Sequence, residues 1–307
     1  MTSVLCRRDR RGRTEFLSLS AISAFSALIS LSFPAMAAAD PVIVGSKKFT
    51  ESYVLAEIAT RAIEDTGIAV EHRQVMGGTL LLWVAMRAGQ ISLYPEYTGT
   101  IAEEILKQSQ VSSIDALRDE LAKMGIGISG ELGFNNTYAL VMRRAEAGRL
   151  GIRTISDLKK HSDLKLGLTH EFLDRRDGWR QLSERYKLPA PHLSGIDHGL
   201  GYGALQNNSI DVKDAYSTDA KIGENDLVAL EDDLHFFPQY QAVFLYRLDI
   251  SPPALAVVRK LAGTINEARM IRLNVEADRT KNYDQTHSLY FGATKFAGES
   301  PASQLPP

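Results

Sequence analysis

After residue 40, the hydrophobic and polar positions of the chain alternate between the period of a strand and the period of a helix. Short apolar runs are typical of buried strands, and apolar side chains spaced three or four apart are typical of a helix packed on one face. The strands are predicted at residues 41–45, 68–75 and 91–94, and the helices at residues 55–63 and 77–87. This order predicts a parallel sheet covered by helices.

A second series of the same kind follows between two strongly extended runs. The runs lie at residues 138–142 and 241–246. Between them the pattern predicts strands at 164–168, 210–215 and 227–230 and helices near 178–186 and 200–207, and helices return after Pro252. Two extended crossings around a middle α/β block predict two lobes, residues 40–135 with 240–307 and residues 136–239.

The ends of the first three strands carry the polar segments of interest. In open α/β sheets a ligand binds beyond the carboxyl ends of the strands. Segments 46–48, 77–79 and 95–100 follow the three strands in turn. We therefore expect a binding site there, with Gly99 at a position that needs backbone freedom or close approach.

The N-terminal segment predicts export. Five arginines precede an apolar run from residue 16 to 34, and small residues follow up to residue 39. This is the pattern of a cleavable signal peptide over residues 1–39, which implies a periplasmic protein. Cys6 precedes the apolar run, so the remaining chain has no cysteine for a disulfide, a thiolate metal site or a nucleophile. A net charge of −2 argues against nucleic acid as a partner.

Other functional classes find little support. Residues 125–130 and 199–204 match glycine patterns of dinucleotide sites, but neither follows a first strand and opens a helix with an acidic residue downstream. The nearest histidine pair, His192 and His198, lacks metal-ligand spacing and is expected at the surface. We expect neither a metal nor a cofactor. Glu96 as half of a hydrolytic carboxylate pair stays open as an alternative, although an anchoring role is more typical of a lone carboxylate.

Four tyrosines provide a stronger signal. Tyr97, Tyr138, Tyr216 and Tyr240 each lie at a strand end or a crossing, beside polar residues. One such tyrosine is usually structural, but four at comparable topological positions favour a binding site. Tyr94, by contrast, is expected to be a packing residue.

Several ordered sequence blocks resemble the substrate-binding proteins of ABC importers for quaternary ammonium osmoprotectants. The blocks cover the chain after residue 40 and are most specific at Glu-Tyr-Thr-Gly-Thr and Ala-Tyr-Ser-Thr-Asp. They lie at residues 44–51, 77–79, 94–100, 133–140, 175–178 and 214–219. The resemblance implies a type II periplasmic binding protein: two lobes, each a mixed sheet flanked by helices, with the ligand in the cleft between them.

The resemblance also implies roles for individual residues. Tyr97, Tyr138, Tyr216 and Tyr240 would form a tyrosine cage around a trimethylammonium group. Lys47, Thr100 and Arg175 would form a carboxylate clamp for glycine betaine, although the sequence leaves open whether Lys47 or Lys48 faces the ligand. Some relatives carry an acidic residue where this chain has Asn136, which removes a possible charge beside the cation.

Physical chemistry agrees with the cage and the clamp. A trimethylammonium group has no N–H to donate, so aromatic faces are its natural partners, while arginine and lysine suit a carboxylate. The expectation is a monomeric, non-enzymatic receptor for betaine, or choline second, that delivers its ligand to the permease subunits of an importer. Receptors for an amino acid or ectoine, and an exported hydrolase, remain alternatives.

Overall fold

The computed structural model of the chain describes residues 40–74, 76–111, 113–281 and 290. The predicted signal peptide lies outside the described residues. The strands are β1 (Val42–Gly45), β2 (Val70–Arg73), β3 (Leu93–Tyr97), β4 (Ile126–Ile128), β5 (Tyr138–Arg143), β6 (Leu166–Thr169), β7 (Leu193–Ile196), β8 (Val212–Tyr216), β9 (Leu227–Ala229) and β10 (Ala242–Arg247). The helices are α1 (Thr50–Glu64), α2 (Thr79–Arg87), α3 (Thr98–Thr100), α4 (Ile114–Ala122), α5 (Arg144–Leu150), α6 (His170–Asp174), α7 (Trp179–Tyr186), α8 (His198–Gln206), α9 (Ala220–Glu224), α10 (Pro252–Lys260) and α11 (Glu267–Thr280).

The ten strands form two five-stranded mixed sheets. The first has the order β2-β1-β3-β10-β4, in which β1 is parallel to β2 and β3, and β10 is antiparallel to β3 and β4. The second has the order β7-β6-β8-β5-β9, in which β6 is parallel to β7 and β8, and β5 is antiparallel to β8 and β9. The prediction of two lobes built on mixed sheets is confirmed.

The chain crosses between the sheets twice, and the two crossing segments pair with each other. Asn135 and Gln241 form an antiparallel bridge, and the Asn136 N–H donates to the Tyr240 carbonyl at 3.0 Å. The Tyr240 N–H in turn donates to Asn135 Oδ1 at 2.7 Å. This pairing holds Tyr138 beside Tyr240, with ring centroids 5.8 Å apart.

Helix α1 is buried along most of its length because it packs against the first sheet on one side and against α10 and α11 on the other. A helix enclosed in this way needs apolar residues around most of its circumference, and Leu55 and Ile58 are both fully buried. Two of its buried residues are nevertheless acidic, Glu51 in the first turn and Glu57. A carboxylate in the first turn of a helix is favoured by the helix dipole.

Each predicted strand overlaps an observed one, and the structure adds β4 and β7. Strand β4 lies inside the first glycine pattern, where Gly127 allows the Tyr246 ring to approach within 2.3 Å of where a Cβ would be. Strand β7 is a largely exposed edge of its sheet, so it lacks the apolar run that marks the buried strands. The predicted strand at residues 68–75 is shorter in the structure, and residue 75 lies outside the described residues.

Candidate ligand-binding site

The residues predicted for the site line one cavity where the carboxyl ends of the parallel strands from both sheets meet. We call it the inner cavity. Its lining is Lys47, Phe49, Tyr97, Thr100, Asn136, Tyr138, Glu171, Arg175, Tyr216 and Tyr240. The eight residues singled out in the sequence are therefore together, and Phe49 and Glu171 join them.

The aromatic rings around the inner cavity form a chain of contacts. The Tyr138 centroid lies 5.2 Å from that of Tyr216 and 5.8 Å from that of Tyr240. Phe49 joins the other members, at 5.2 Å from Tyr216 and 6.5 Å from Tyr97. Sequence reasoning missed Phe49 although it also follows a strand end, because only tyrosines were considered.

The inner cavity is small in this conformation. Its volume is about 20 Å³, which is room for about one water molecule. A trimethylammonium group carries three methyl groups around its nitrogen. Such a ligand can therefore enter only if the rings of the tyrosine cage move apart.

Two cage tyrosines are oriented by buried carboxylates. The Tyr97 hydroxyl donates to Glu51 Oε1 at 2.6 Å, and the Tyr240 hydroxyl donates to Asp177 Oδ2 at 2.5 Å. Burial raises the pKa of both phenols well above its usual value, and the neighbouring carboxylates raise it further. Both hydroxyls therefore stay protonated and keep donating.

Lys47 is the lysine that reaches the inner cavity. Lys47 is buried, with 6% of the residue exposed. In contrast, 65% of the Lys48 side chain is exposed, and Lys48 Nζ lies 3.7 Å from Asp197 Oδ2. Lys47 Nζ is 2.5 Å from Glu96 Oε1 and donates to Thr79 Oγ1 at 3.2 Å. The same nitrogen lies 5.3 Å from the Tyr97 ring centroid. The Lys47 ammonium therefore already occupies a position over one cage ring.

Glu96 belongs to strand β3 and pairs with Lys47, so it serves as an ionic anchor in a strand and not in a loop. Burial raises the pKa of Glu96, and the Lys47 charge opposes that rise. Its second oxygen, Oε2, is buried without a hydrogen-bond partner among the described residues. Tyr94 is fully buried in the same strand, as expected of a packing residue.

Arg175 is also paired. Its Nε and Nη2 donate to the two oxygens of Asp177 at 2.7 and 2.5 Å, and its guanidinium lies 5.4 Å from the Tyr138 centroid. The remaining nitrogen, Nη1, is 3.9 Å from Glu171 Oε1. Nη1 is thus the nitrogen of Arg175 that a ligand could use. Both cations of the predicted clamp carry a carboxylate partner of their own, which sequence reasoning missed.

Thr100 and Asn136 complete the predicted set. Thr100 is buried and lines the inner cavity. The Asn136 amide nitrogen donates to Glu51 Oε1 at 2.8 Å. Asn136 thus contacts a carboxylate that comes from another part of this chain.

A larger space, which we call the outer chamber, adjoins the inner cavity. Its volume is about 480 Å³, and five of its lining residues are shared with the inner cavity: Lys47, Phe49, Glu171, Arg175 and Tyr216. The first sheet's side contributes Leu80 and Leu81 from α2, and the second contributes residues 169–171, 174 and 196–198. The outer chamber therefore lies in the cleft between the lobes.

His198 corrects one expectation. It was expected at the surface, but it is half-buried, stacks on Tyr216 with centroids 4.6 Å apart, and lies 3.0 Å from Asp219. It therefore contacts a cage ring from the side of the outer chamber.

The residues that the structure describes show neither a metal-binding cluster nor a membrane span. There, His, Cys, Asp and Glu side chains do not gather in threes that could hold a metal ion. No helix in those ranges combines the length and the apolar character that a membrane span needs.

Comparison with known proteins decides the family. Residues 40–291 match the model of the family described as the substrate-binding domain of ABC-type glycine betaine transport systems. The chain belongs to this family. The resemblance found in the sequence blocks is thereby confirmed.

Two curated relatives are similar over most of the chain. The ergothioneine transport permease/ergothioneine binding protein EgtU of Helicobacter pylori (strain G27) is 33% identical over 252 residues, which are 78% of this chain and 45% of that protein. The chain thus spans about half the length of this relative. The carnitine transport binding protein OpuCC of Listeria monocytogenes serotype 1/2a (strain 10403S) is 31% identical over 265 residues, 82% of this chain and 86% of that protein.

A solved structure agrees with the fold. The crystal structure of a glycine betaine/carnitine/choline ABC transporter matches with a TM-score of 0.68 and 28% sequence identity, and the match covers 83% of this chain and 99% of that chain. The predicted fold class, a two-lobed periplasmic binding protein, is confirmed.

Proposed function

We propose that the protein captures a small quaternary ammonium solute, glycine betaine first and choline second, and delivers it to the permease subunits of an ABC importer. It does so without catalysis, as a periplasmic monomer. The observation that carries the proposal is the aromatic lining of the inner cavity, where Phe49 joins the tyrosine cage. Glycine betaine, carnitine, choline and ergothioneine all carry the trimethylammonium group that such a lining suits.

The energetics call for a second set of contacts. A cation over an aromatic face gains at most about 2 kcal/mol when desolvated, so four faces contribute about 8 kcal/mol gross. A micromolar complex needs about 8 kcal/mol after the costs of association and of spreading the rings. We therefore assign the ligand carboxylate to Thr100, Arg175 Nη1 and Lys47. Two of the three N–H groups of the Lys47 ammonium donate to Glu96 and Thr79, and the third is available to the ligand.

The outer chamber favours a second candidate, a longer trimethylammonium ligand such as carnitine. The relatives named for carnitine and for ergothioneine handle compounds that extend beyond the betaine head. A volume of about 480 Å³ next to the cage offers room for such a substituent. Residues Leu80, Leu81 and His170 would contact it.

Calorimetric titration with betaine, choline, carnitine and an amino acid tests the proposal. We expect saturable binding of the trimethylammonium compounds and weaker binding of the amino acid. Tyr216→Ala should abolish measurable betaine binding, while Tyr216→Phe, which keeps the ring face, should retain it within about threefold. Preference for the amino acid, or full betaine binding by Tyr216→Ala, would contradict the assignment of the tyrosine cage to the trimethylammonium group.

The clamp has its own test in Arg175→Gln. Betaine affinity should fall by about ten- to a hundredfold, because a charge-assisted contact is lost. Choline lacks the carboxylate, so its affinity reports only the structural effect of leaving Asp177 unpaired. An equal loss for both ligands would show that Arg175 does not bind the carboxylate.

A further inference from the structure

Glu51 differs from the other carboxylates around the inner cavity, because each of those lies within 4.0 Å of a cation, Glu171 at 3.9 Å from Arg175. Lys47 pairs with Glu96, and Arg175 pairs with Asp177. Glu51 is only 3% exposed, and among the described residues it has no ion-pair partner. A buried carboxylate without a cation is unusual, because removing it from water is costly.

Four neutral donors hold the Glu51 carboxylate, two on each oxygen. Oε1 accepts from the Tyr97 hydroxyl at 2.6 Å and from Asn136 Nδ2 at 2.8 Å. Oε2 accepts from the Thr218 hydroxyl at 2.5 Å and from Asn274 Nδ2 at 2.9 Å. The site is thus complete for an anion that can only accept.

The two asparagines support this assignment. Asn136 Oδ1 and Asn274 Oδ1 are both buried without a hydrogen-bond partner in the described part of the chain. Each amide therefore donates its nitrogen to Glu51, while its own oxygen accepts no hydrogen bond from the described residues. That arrangement suits a carboxylate, which has acceptors only.

Glu51 reaches the inner cavity through two of its donors. Tyr97 and Asn136 line the cavity, so a single side chain separates the carboxylate from a bound ligand. A phenol that donates to an anion carries more negative charge on its ring, and a more negative ring face attracts a cation more strongly. In a buried site this charge is weakly screened.

We propose that Glu51 is the counter-charge for the ligand cation, a positioning residue that acts through Tyr97 and Asn136. The assignment rests on the proposed function, because it requires a cationic ligand in the tyrosine cage. It also gives Asn136 a role, because Asn136 lines the inner cavity and donates to Glu51. Thr218 belongs to the second lobe, so the competing explanation is that Glu51 only fastens the lobes.

The test compares betaine with its carbon isostere, 3,3-dimethylbutanoate, by calorimetry and by displacement. Both molecules carry the same carboxylate, and only the charge of the head differs. In Glu51→Gln the ratio of betaine affinity to isostere affinity should fall by about tenfold. An unchanged ratio in a folded Glu51→Gln protein would overturn the proposal.

Two controls separate charge from anchoring. Thr218→Val removes a donor that comes from the second lobe but leaves the Glu51 charge. The ratio of betaine affinity to isostere affinity in this variant should stay within about twofold of wild type. A fall as large as that in Glu51→Gln would assign the effect to lobe anchoring. Adding Asn136→Asp to Glu51→Gln returns an acid next to the cavity, and the ratio should recover; failure to recover counts against the proposal.

Tyr97→Phe keeps the test decisive if Glu51→Gln does not fold. It retains the ring and breaks the link to Glu51, so the ratio should fall by about threefold; an unchanged ratio would overturn the proposal. Failure of the proposed function looks different. In that case wild-type protein binds no quaternary ammonium compound at all, and both proposals fall together.

Discussion

Gly99 is the residue around which one cage ring packs most closely. A Cβ at this position would lie 2.6 Å from Tyr240 Cδ1 and 2.9 Å from the Gln239 carbonyl oxygen. The sequence predicts that Gly99 needs freedom or close approach, and the structure identifies close approach as the reason. A side chain here must displace the Tyr240 ring.

Gly99→Ala should therefore lower the free energy of unfolding by about 1–3 kcal/mol, as overpacking does, and should also weaken betaine binding. Gly148→Ala is the matched control, because it lies within α5 with no atom within 4 Å of the added methyl. Alanine inside a helix should raise stability there by about 0.5–1 kcal/mol. Urea denaturation of both variants checks the difference, and equal effects would contradict the packing explanation.

Glu51 predicts opposite effects of pH on stability and on binding. Burial raises the pKa of Glu51 above its ordinary value, so the folded state holds this proton more tightly than the unfolded state. Its contribution to stability is then full below the unfolded pKa and is lost as pH rises through the folded pKa. The stability of ligand-free wild type relative to Glu51→Gln should accordingly be greatest in acid and should decline as pH rises through the folded pKa of Glu51.

Choline affinity should change with pH in the opposite direction to stability, because choline binding depends on the charged carboxylate of Glu51. Wild-type affinity should fall as pH drops through the folded pKa of Glu51, and Glu51→Gln should show a flatter profile. The difference between the two profiles isolates Glu51 from Glu96, whose pKa burial also raises. Parallel profiles would contradict a role for the Glu51 charge.

The sequence singled out the four tyrosines that line the inner cavity but not the groups that hold them, and the reason is distance along the chain. Each cage tyrosine lies at a strand end or in a crossing segment, and hydrophobic periodicity locates both. The donors to Glu51 come from positions 46, 85, 167 and 223 residues away. No local pattern encodes such contacts, and an acidic residue in the first turn of a helix looks like an ordinary dipole partner.

At the scale of elements, the paired crossing segments set the position of the cage. Asn135 accepts the Tyr240 N–H, and its bridge to Gln241 joins the two crossing segments just before β5 and β10. The crossings were predictable because both are strongly extended runs. Their pairing was not predictable, because it depends on how the two sheets close on each other.

Asn135→Ala should cost about 1–2 kcal/mol of stability, because it leaves the Tyr240 N–H without its acceptor. Betaine affinity should fall with it, since the Tyr240 ring loses its support. Asn135→Asp keeps an acceptor oxygen and should retain both properties. Thermal unfolding and calorimetry of the two variants check this, and an alanine variant that matches wild type would show that the crossing does not depend on Asn135.

At the scale of the molecule, the inner cavity draws on both lobes. Lys47, Tyr97 and Thr100 come from the side of the first sheet, and Arg175 and Tyr216 come from the side of the second. A ligand held from both sides stabilises the conformation in which all contacts form, by the difference in its affinity for the two states. Because the inner cavity is too small for the head group, binding must also spread the rings.

A crystal structure of the protein with glycine betaine tests the central claim most directly. We predict the quaternary nitrogen within about 6 Å of the centroids of the four cage rings, with the carboxylate on the side of Thr100 and Arg175. The rings of Tyr138 and Tyr216 should be farther apart than the 5.2 Å of the present structure. Betaine confined to the outer chamber, or bound with its carboxylate among the rings, would contradict the cage.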